Sequence, residues 1–76
     1  MNNERRKQIE AARDLISQAL NLVREAGEGE RDAFDNMPEG LQESERGQNM
    51  EQAADTLESA ADDLENLLDE LENAAQ

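Results

Sequence analysis

The sequence has no cysteine, histidine, tryptophan or tyrosine, and it has only one phenylalanine and one proline. Without cysteine the chain forms no disulfide and no thiolate metal site, and without histidine it lacks the commonest transition-metal ligand. No apolar run approaches the roughly 20 residues that cross a bilayer, and the polar N-terminus has no apolar signal-peptide core. We therefore expect one small domain in the cytoplasm, with no cofactor, no metal ion and no membrane partner.

Basic residues are also scarce, and the net charge of the 76 residues is −13. Residues 1–26 carry +1, residues 27–43 carry −5 and residues 44–76 carry −9, with no base after Arg46. Nucleic acids and anionic membranes are polyanions, so this charge argues against both as direct ligands and favours a basic protein partner. The alternative is that the acids only keep the protein soluble.

Two amphipathic helices are predicted, one over about residues 3–35 and one over about 44–75. In both, apolar residues recur in alternating steps of three and four, which is typical of a helix packed along its length against another helix. In the first helix they are Ile9, Ala12, Ile16, Ala19, Val23 and Ala26, and in the second Met50, Ala53, Leu57, Ala60, Leu64, Leu67, Leu71 and Ala74. Gly27 and Gly29 leave two possibilities, a continuous first helix or a C-cap followed by a loop.

Residues 36–43 are predicted to form a hinge, because Pro38 disfavours a helical residue before it and Gly40 adds backbone freedom. Ser44 is the expected N-cap of the second helix, in which Gly47 is a weak point. Two helices of similar length around one tight connection predict an all-α, coiled-coil-like antiparallel hairpin that forms a single domain over residues 1–76.

The apolar stripe is wider than a contact between two helices requires. Three apolar positions in seven suit a helix that touches more than one neighbour. We therefore expect two hairpins to pair into a dimeric four-helix bundle, and the alternative is a monomer whose spare apolar edge binds the target. The residues predicted for the core and the dimer contact are Ile9, Leu15, Ile16, Leu22, Val23, Leu57, Leu64, Leu67, Leu68 and Leu71.

Nothing in the sequence predicts catalysis. The serines have no histidine to activate them, and the carboxylates are expected on an open helix face where no cleft desolvates them. If Gly40 is aligned with the glycine of a calcium-binding loop, Met37 and Arg46 fall at positions that require oxygen ligands. We expect no enzyme, no catalytic residue and no pocket in a hairpin of this size.

A second periodic line lies on the second helix. Seven carboxylates share one edge without a base among them, and we call this line the acidic ridge: Glu51, Asp55, Glu58, Asp62, Glu65, Asp69 and Glu72. Asp63 and Glu70 are predicted to reinforce it from an adjacent line. Successive members stand about 5 Å apart along the helix axis, while a DNA strand presents one phosphate per about 3.4 Å. The ridge therefore resembles one phosphate backbone in outline.

The hinge also resembles that of a known family. Residues Asp35-Asn36-Met37-Pro38-Glu39-Gly40-Leu41-Gln42-Glu43-Ser44-Glu45-Arg46 are similar to an Asp-Asn-hydrophobic-Pro-Glu-x-Leu-Gln-x-Ser-Glu-Arg signature of small bacteriophage and prophage proteins. In shape and charge the chain is also similar to anti-CRISPR and other anti-host proteins that mimic DNA. These resemblances imply an inhibitor in the host bacterial cytoplasm that binds a basic, nucleic-acid-binding host protein through its acidic ridge. A structural or adaptor protein that binds through the apolar stripe is the alternative.

Overall fold

The computed structural model describes residues 1–76 and consists of three helices: α1 (Asn3–Asp35), α2 (Glu39–Gln42) and α3 (Glu45–Ala74). The two long helices pack against each other, and α2 is a single turn between them that contacts α3. They run antiparallel, because the N-terminal half of α1 lies beside the C-terminal end of α3. The resulting rod is 58 Å long and 13–15 Å across. The prediction of an all-helical protein with two long helices packed together is confirmed.

Side-chain caps define where the long helices begin. Asn2 accepts a hydrogen bond from the backbone N–H of Arg5 at 2.8 Å, and the hydroxyl of Ser44 accepts one from the N–H of Gly47 at 3.2 Å. Each cap satisfies a donor that has no partner within its own helix. None of the helices has the length and apolar character of a membrane-spanning segment.

The first helix continues through both glycines. Gly27 is buried against α3, and a Cβ at this position would lie 3.3 Å from the Cβ of Leu57. Neither glycine has a positive φ, so neither forms the left-handed C-cap that ends many helices. Glycine costs about 1 kcal/mol in a helix relative to alanine, and at Gly27 it allows the two long helices to approach closely. Of the two possibilities that the sequence left open, the structure shows the continuous helix.

Gly47 lies where the short helix α2 crosses the first turn of α3. A Cβ at Gly47 would lie 2.5 Å from the carbonyl oxygen of Leu41 and would also overlap that of Gln42. The side-chain amide of Gln42 donates to the carbonyl of Phe34 at 3.0 Å, so this turn is also tied to α1. Gly47, which the sequence indicated as a weak point of the second helix, is therefore the residue on which α2 packs.

Both long helices are rotated by about half a residue from the predicted packing, because every second position of each predicted seam is half-buried as expected and the position between moves on by one residue. In α3 the buried side chains are those of Ala54 and Ala61, whereas Leu67 of the predicted seam is exposed. In α1, Leu20 is buried and Ala26 is exposed. The cause is that three apolar positions in seven contain two overlapping lines of three-four spacing, and the pattern alone does not select the line that faces the partner helix.

The hairpin has little hydrophobic interior, since only five of its 76 residues are buried. Seven of the ten residues predicted for the core and dimer contact are half-buried between the helices: Ile9, Ile16, Val23, Leu57, Leu64, Leu68 and Leu71. The other three, Leu15, Leu22 and Leu67, are 67%, 66% and 38% exposed. These three leucines are not part of the core of the hairpin.

Candidate functional site

The acidic ridge lies along one edge of α3. This helix is unbroken from Glu45 to Ala74, so each carboxylate of the ridge follows the previous one by about one turn. All seven residues are exposed. From Glu51 to Glu72 the ridge extends roughly 32 Å at 1.5 Å per residue. Asp63 and Glu70 are exposed too, but at about 100° per residue they point away from the ridge toward the outer surface of α3.

Three arginines of α1 lie opposite the ridge and form ion pairs with it. The pairs are Arg13 with Glu72 (3.8 Å), Arg24 with Glu65, and Arg31 with Asp55 (2.5 Å) and Glu58 (3.3 Å). Four of the seven carboxylates therefore have a counter-ion from the other long helix. The prediction of the acidic ridge rested on the residues of α3 alone and did not include these counter-ions.

The spacing of the three arginines in the sequence indicates this pairing. Arg13 and Arg24 are eleven residues apart, and Arg24 and Arg31 are seven apart. Both intervals are close to whole turns of an α-helix, so the three side chains share one edge of α1. A basic edge on one helix and an acidic edge on the other predict which edges meet, which the apolar pattern did not.

Arg31 makes the most extensive of these contacts. Its guanidinium Nη2 donates to Asp55 Oδ1 at 2.5 Å and to Glu58 Oε1 at 3.3 Å. The hydrogen bond to Asp55, followed by that to Glu58, raises the pKa of Arg31 above its ordinary value although partial desolvation opposes the shift. Arg31 therefore stays charged throughout the accessible pH range and joins α1 to two successive turns of the ridge.

The ridge remains open to solvent despite these ion pairs. The side chains of its four paired carboxylates are between 49% and 65% exposed. Glu51, Asp62 and Asp69 lie within 4 Å of no basic group. Surface ion pairs of this kind contribute little, with a median of about 0–1 kcal/mol. A partner that carries arginine or lysine can therefore compete for the paired carboxylates at small cost.

A cleft of about 410 Å³ opens on the same edge, beside Gly27. Its charged lining includes Arg24, Arg31, Glu58 and Asp62. The expectation that the hairpin has no pocket is therefore wrong, because the space beside the buried Gly27 depends on how the two long helices pack. No three acidic side chains are grouped so that they could hold a metal ion. The cleft offers carboxylates to a cationic group from outside.

The edge opposite the ridge is richer in apolar residues. Taking about 100° per residue, alanine and leucine predominate among the side chains turned away from the arginines on α1 and away from the ridge on α3, and Asp63 and Glu70 lie at the outer border of this surface. We call this surface the alanine–leucine face: Ala12, Leu15, Ala19, Leu22 and Ala26 of α1, and Ala53, Ala60, Leu67 and Ala74 of α3. The hairpin thus has one edge lined by ion pairs and another on which alanine and leucine predominate.

In comparisons with known proteins, no family model, no curated protein and no solved structure matches the chain. Its function is therefore inferred from these two surfaces.

Proposed function

We propose that this protein is a phage-type inhibitor whose acidic ridge takes the place of nucleic-acid phosphates on a basic host protein. The target is the DNA- or RNA-binding channel of a host defence complex, of which a CRISPR effector is one example. The protein acts without catalysis, in the host bacterial cytoplasm, and binds its target in a stoichiometric complex.

The observation that carries this proposal is the exposure of all seven carboxylates on one unbroken helix. Their line of roughly 32 Å approaches the 34–36 Å of one turn of duplex DNA. A channel that binds phosphates presents lysine and arginine side chains at comparable spacing, and opposite charge accelerates encounter between the two surfaces. The similarity of residues 35–46 to the hinge of phage and prophage proteins supports the biological setting.

The arginines of α1 explain how a line of like charges is tolerated in the unbound protein. Neighbouring carboxylates on one helix edge repel each other by a few tenths of a kcal/mol per pair. Arg13, Arg24 and Arg31 offset part of this repulsion from the adjacent helix. Cationic side chains of the target then add to the arginines or replace them, and Glu51, Asp62 and Asp69 are available without any exchange.

Reversal of those three unpaired carboxylates tests the proposal without breaking an internal ion pair. The immobilised protein is used to capture proteins from a bacterial lysate, which are eluted with a salt gradient and identified. A captured nucleic-acid-binding protein is then bound to fluorescent DNA or RNA, and displacement by the inhibitor is measured. We expect the Glu51→Lys/Asp62→Lys/Asp69→Lys variant to lose displacement while keeping its helical circular dichroism spectrum.

The matched control reverses three carboxylates elsewhere. Asp14, Glu25 and Glu43 are exposed and lie within 4 Å of no basic group, so Asp14→Lys/Glu25→Lys/Glu43→Lys changes the net charge by the same amount. This variant is expected to retain most of the displacement. Equal loss in both variants would show that only net charge matters, and unchanged displacement by the ridge variant would exclude the ridge as the binding surface.

A second candidate function rests on the exposed leucines of the alanine–leucine face. On this hypothesis the protein is a structural or adaptor protein that binds through its apolar surface, and its acids provide solubility. Binding through the ridge is expected to fail in about 0.5 M salt, where the Debye length falls to a few ångströms. Capture of a partner that persists at this salt concentration would favour the adaptor.

We also propose that the hairpin pairs with a second copy into a four-helix bundle. A single hairpin that buries five of 76 residues has too small a core for a chain of this size without additional packing. Leu15 and Leu22 are about two-thirds exposed in the single hairpin, and pairing with a second copy would reduce this exposure.

A further inference from the structure

We infer that the cleft beside Gly27 receives the side chain of one arginine from the protein to which the acidic ridge binds. The inference rests on the proposed function for the identity of the partner, and it adds which group of the partner is bound and where on the ridge it lies. An arginine side chain has an apolar stem and a planar cationic head, and the cleft offers a suitable surface to each.

The cleft has an apolar floor. Its hydrophobic lining residues are Val23, Leu57 and Ala61, and Gly27 adds a stretch of backbone without a side chain. Gly27 and Ala61 are buried between the long helices, and Val23 and Leu57 are half-buried. The volume of about 410 Å³ falls within the range of about 300–1,000 Å³ that is typical of ligand pockets. The methylene groups of an arginine can pack on this floor while the guanidinium group stays at the rim.

The rim of the cleft is negative although two bases belong to it. Four acids and two bases line the cleft: Glu28, Asp32, Glu58, Asp62, Arg24 and Arg31. Both arginines are already bound to carboxylates of the ridge. Glu28, Asp32 and Asp62 lie within 4 Å of no basic group. This excess of negative charge favours a cation as the occupant of the cleft.

The cleft coincides with a gap in the row of arginines on α1. Arg24 and Arg31 are seven residues, or about two turns, apart on the edge that faces the ridge. One turn from each of them, the buried position is Gly27, which has no side chain, and the exposed position is Glu28, which cannot act as a counter-ion to a carboxylate. Asp62 lines the cleft at this gap and has no counter-ion. An arginine of the partner supplies the cation that α1 lacks here.

Arg31 shows how a guanidinium group binds this edge of α3. Its Nη2 donates to Asp55 and to Glu58, which are about one turn apart along the ridge. Glu58 and Asp62 are the next two carboxylates at this spacing, and both line the cleft. The planar guanidinium group has five donors and bridges separated carboxylates, whereas the ammonium group of lysine is a compact point charge. The occupant is therefore arginine and not lysine.

The cleft also lies at the middle of the ridge. Asp62 is the fourth of the seven carboxylates, and it and Glu58 are the only members of the ridge that line a cleft. Arginine is enriched among the residues that dominate protein–protein binding, and such residues cluster near the centre of an interface in desolvated pockets. An arginine in the cleft would have weaker contacts with the remaining carboxylates of the ridge on both sides.

The test is an NMR titration of the isotopically labelled protein with a capped tripeptide that has arginine between two glycines. The backbone amide shifts are recorded in about 0.1 M salt, where the Debye length is about 10 Å. We expect saturable shifts centred on Gly27, Leu57 and Asp62, and weaker binding of the corresponding lysine peptide. Shifts that spread evenly along the ridge without saturation, or equal binding of the two peptides, would overturn the inference.

Asp62→Asn and Asp69→Asn are a matched pair for this titration. Each removes one negative charge from an exposed carboxylate of the ridge that has no counter-ion. Only Asp62 lines the cleft, and Asp69 lies seven residues, or roughly 10 Å, farther along α3. We expect Asp62→Asn to raise the Kd of the arginine peptide about two- to fivefold and Asp69→Asn to change it much less. Equal effects of the two variants would also overturn the inference.

This experiment separates the cleft from the proposed function, because it uses the isolated protein and a peptide and no host protein. If the peptide does not bind in the cleft while Glu51→Lys/Asp62→Lys/Asp69→Lys still loses displacement, the ridge acts as a line of charge and the inference alone fails. If the peptide binds in the cleft while that variant displaces nucleic acid normally, the proposed function fails and the cleft is still an arginine-binding site.

Discussion

Gly27 faces Leu57 across the two long helices so closely that a Cβ on the glycine would lie 3.3 Å from the Cβ of the leucine. Gly29, two residues farther along α1, has no atom within 4 Å of the position that a Cβ would occupy. The two glycines therefore stand in the same helix with the same intrinsic cost and differ only in their surroundings.

Substitution of these glycines by alanine is expected to give unequal results. Gly29→Ala should raise the free energy of unfolding by about 0.4–1 kcal/mol, because alanine favours the helix and nothing obstructs its methyl group. Gly27→Ala gains the same propensity but requires α3 to move by a few tenths of an ångström, so its gain should be smaller than that of Gly29→Ala. Urea unfolding monitored by circular dichroism measures both, and equal gains would contradict the close contact.

Gly47→Ala is expected to disturb the junction between α2 and α3. The added methyl group would overlap the carbonyl oxygens of Leu41 and Gln42, which are backbone atoms that cannot rotate away. We expect a loss of roughly 1–3 kcal/mol in the free energy of unfolding. Gly40→Ala is the control, because no atom lies within 4 Å of its Cβ position. Comparable stability of the two variants would show that α2 does not pack on Gly47.

The helices themselves were predictable from the sequence because their signals are local. The Pro38 turn and the Ser44 cap located the end of α1 and the start of α3, and periodicity defined what lies between them. The one-turn helix α2 was not predicted, since four residues are too few for a periodic pattern. The role of Gly47 could not be predicted either, because it depends on where α2 lies in space.

The rotation of each long helix about its axis could be predicted only by considering both helices together. Either overlapping apolar line fits the three-four spacing. The ion pairs of Arg24 with Glu65 and of Arg31 with Asp55 identify the line that faces the partner helix. This choice buries Ala54 and Ala61 and leaves Leu67 on the surface. The composition of the acidic ridge was predictable from one helix, but its counter-ions and the cleft beside Gly27 depend on the packing of two.

Removal of the Ser44 cap is expected to weaken the start of α3. The hydroxyl accepts the N–H of Gly47 and donates to the carbonyl of Leu41, so Ser44→Ala loses both contacts at the hinge. We expect a decrease of about 0.5–2 kcal/mol in the free energy of unfolding. Ser59→Ala, at an exposed position in the middle of α3, is the matched control and should be neutral or slightly stabilising. Equal effects would indicate that the cap contributes nothing to stability.

Neutralisation of Arg31 is expected to change stability and binding in opposite directions. Arg31→Gln removes the ion pairs to Asp55 and Glu58 and should lower the free energy of unfolding only slightly, because surface pairs contribute little to stability. It also leaves two more carboxylates of the ridge without a counter-ion, so affinity for a cationic probe such as poly-lysine should rise at low salt.

The matched variant for this prediction is Arg46→Gln. Arg46 is exposed and lies within 4 Å of no acidic group, so its replacement changes the net charge equally without altering the ridge. Urea unfolding should show little change for Arg46→Gln, and titration with poly-lysine should show a smaller gain than for Arg31→Gln. If the two variants gain affinity equally, cations respond to the total charge of the protein and the arrangement of carboxylates along α3 has no special effect. A larger gain for Arg31→Gln would indicate that the ridge is where cations bind and that Arg31 competes with them for it.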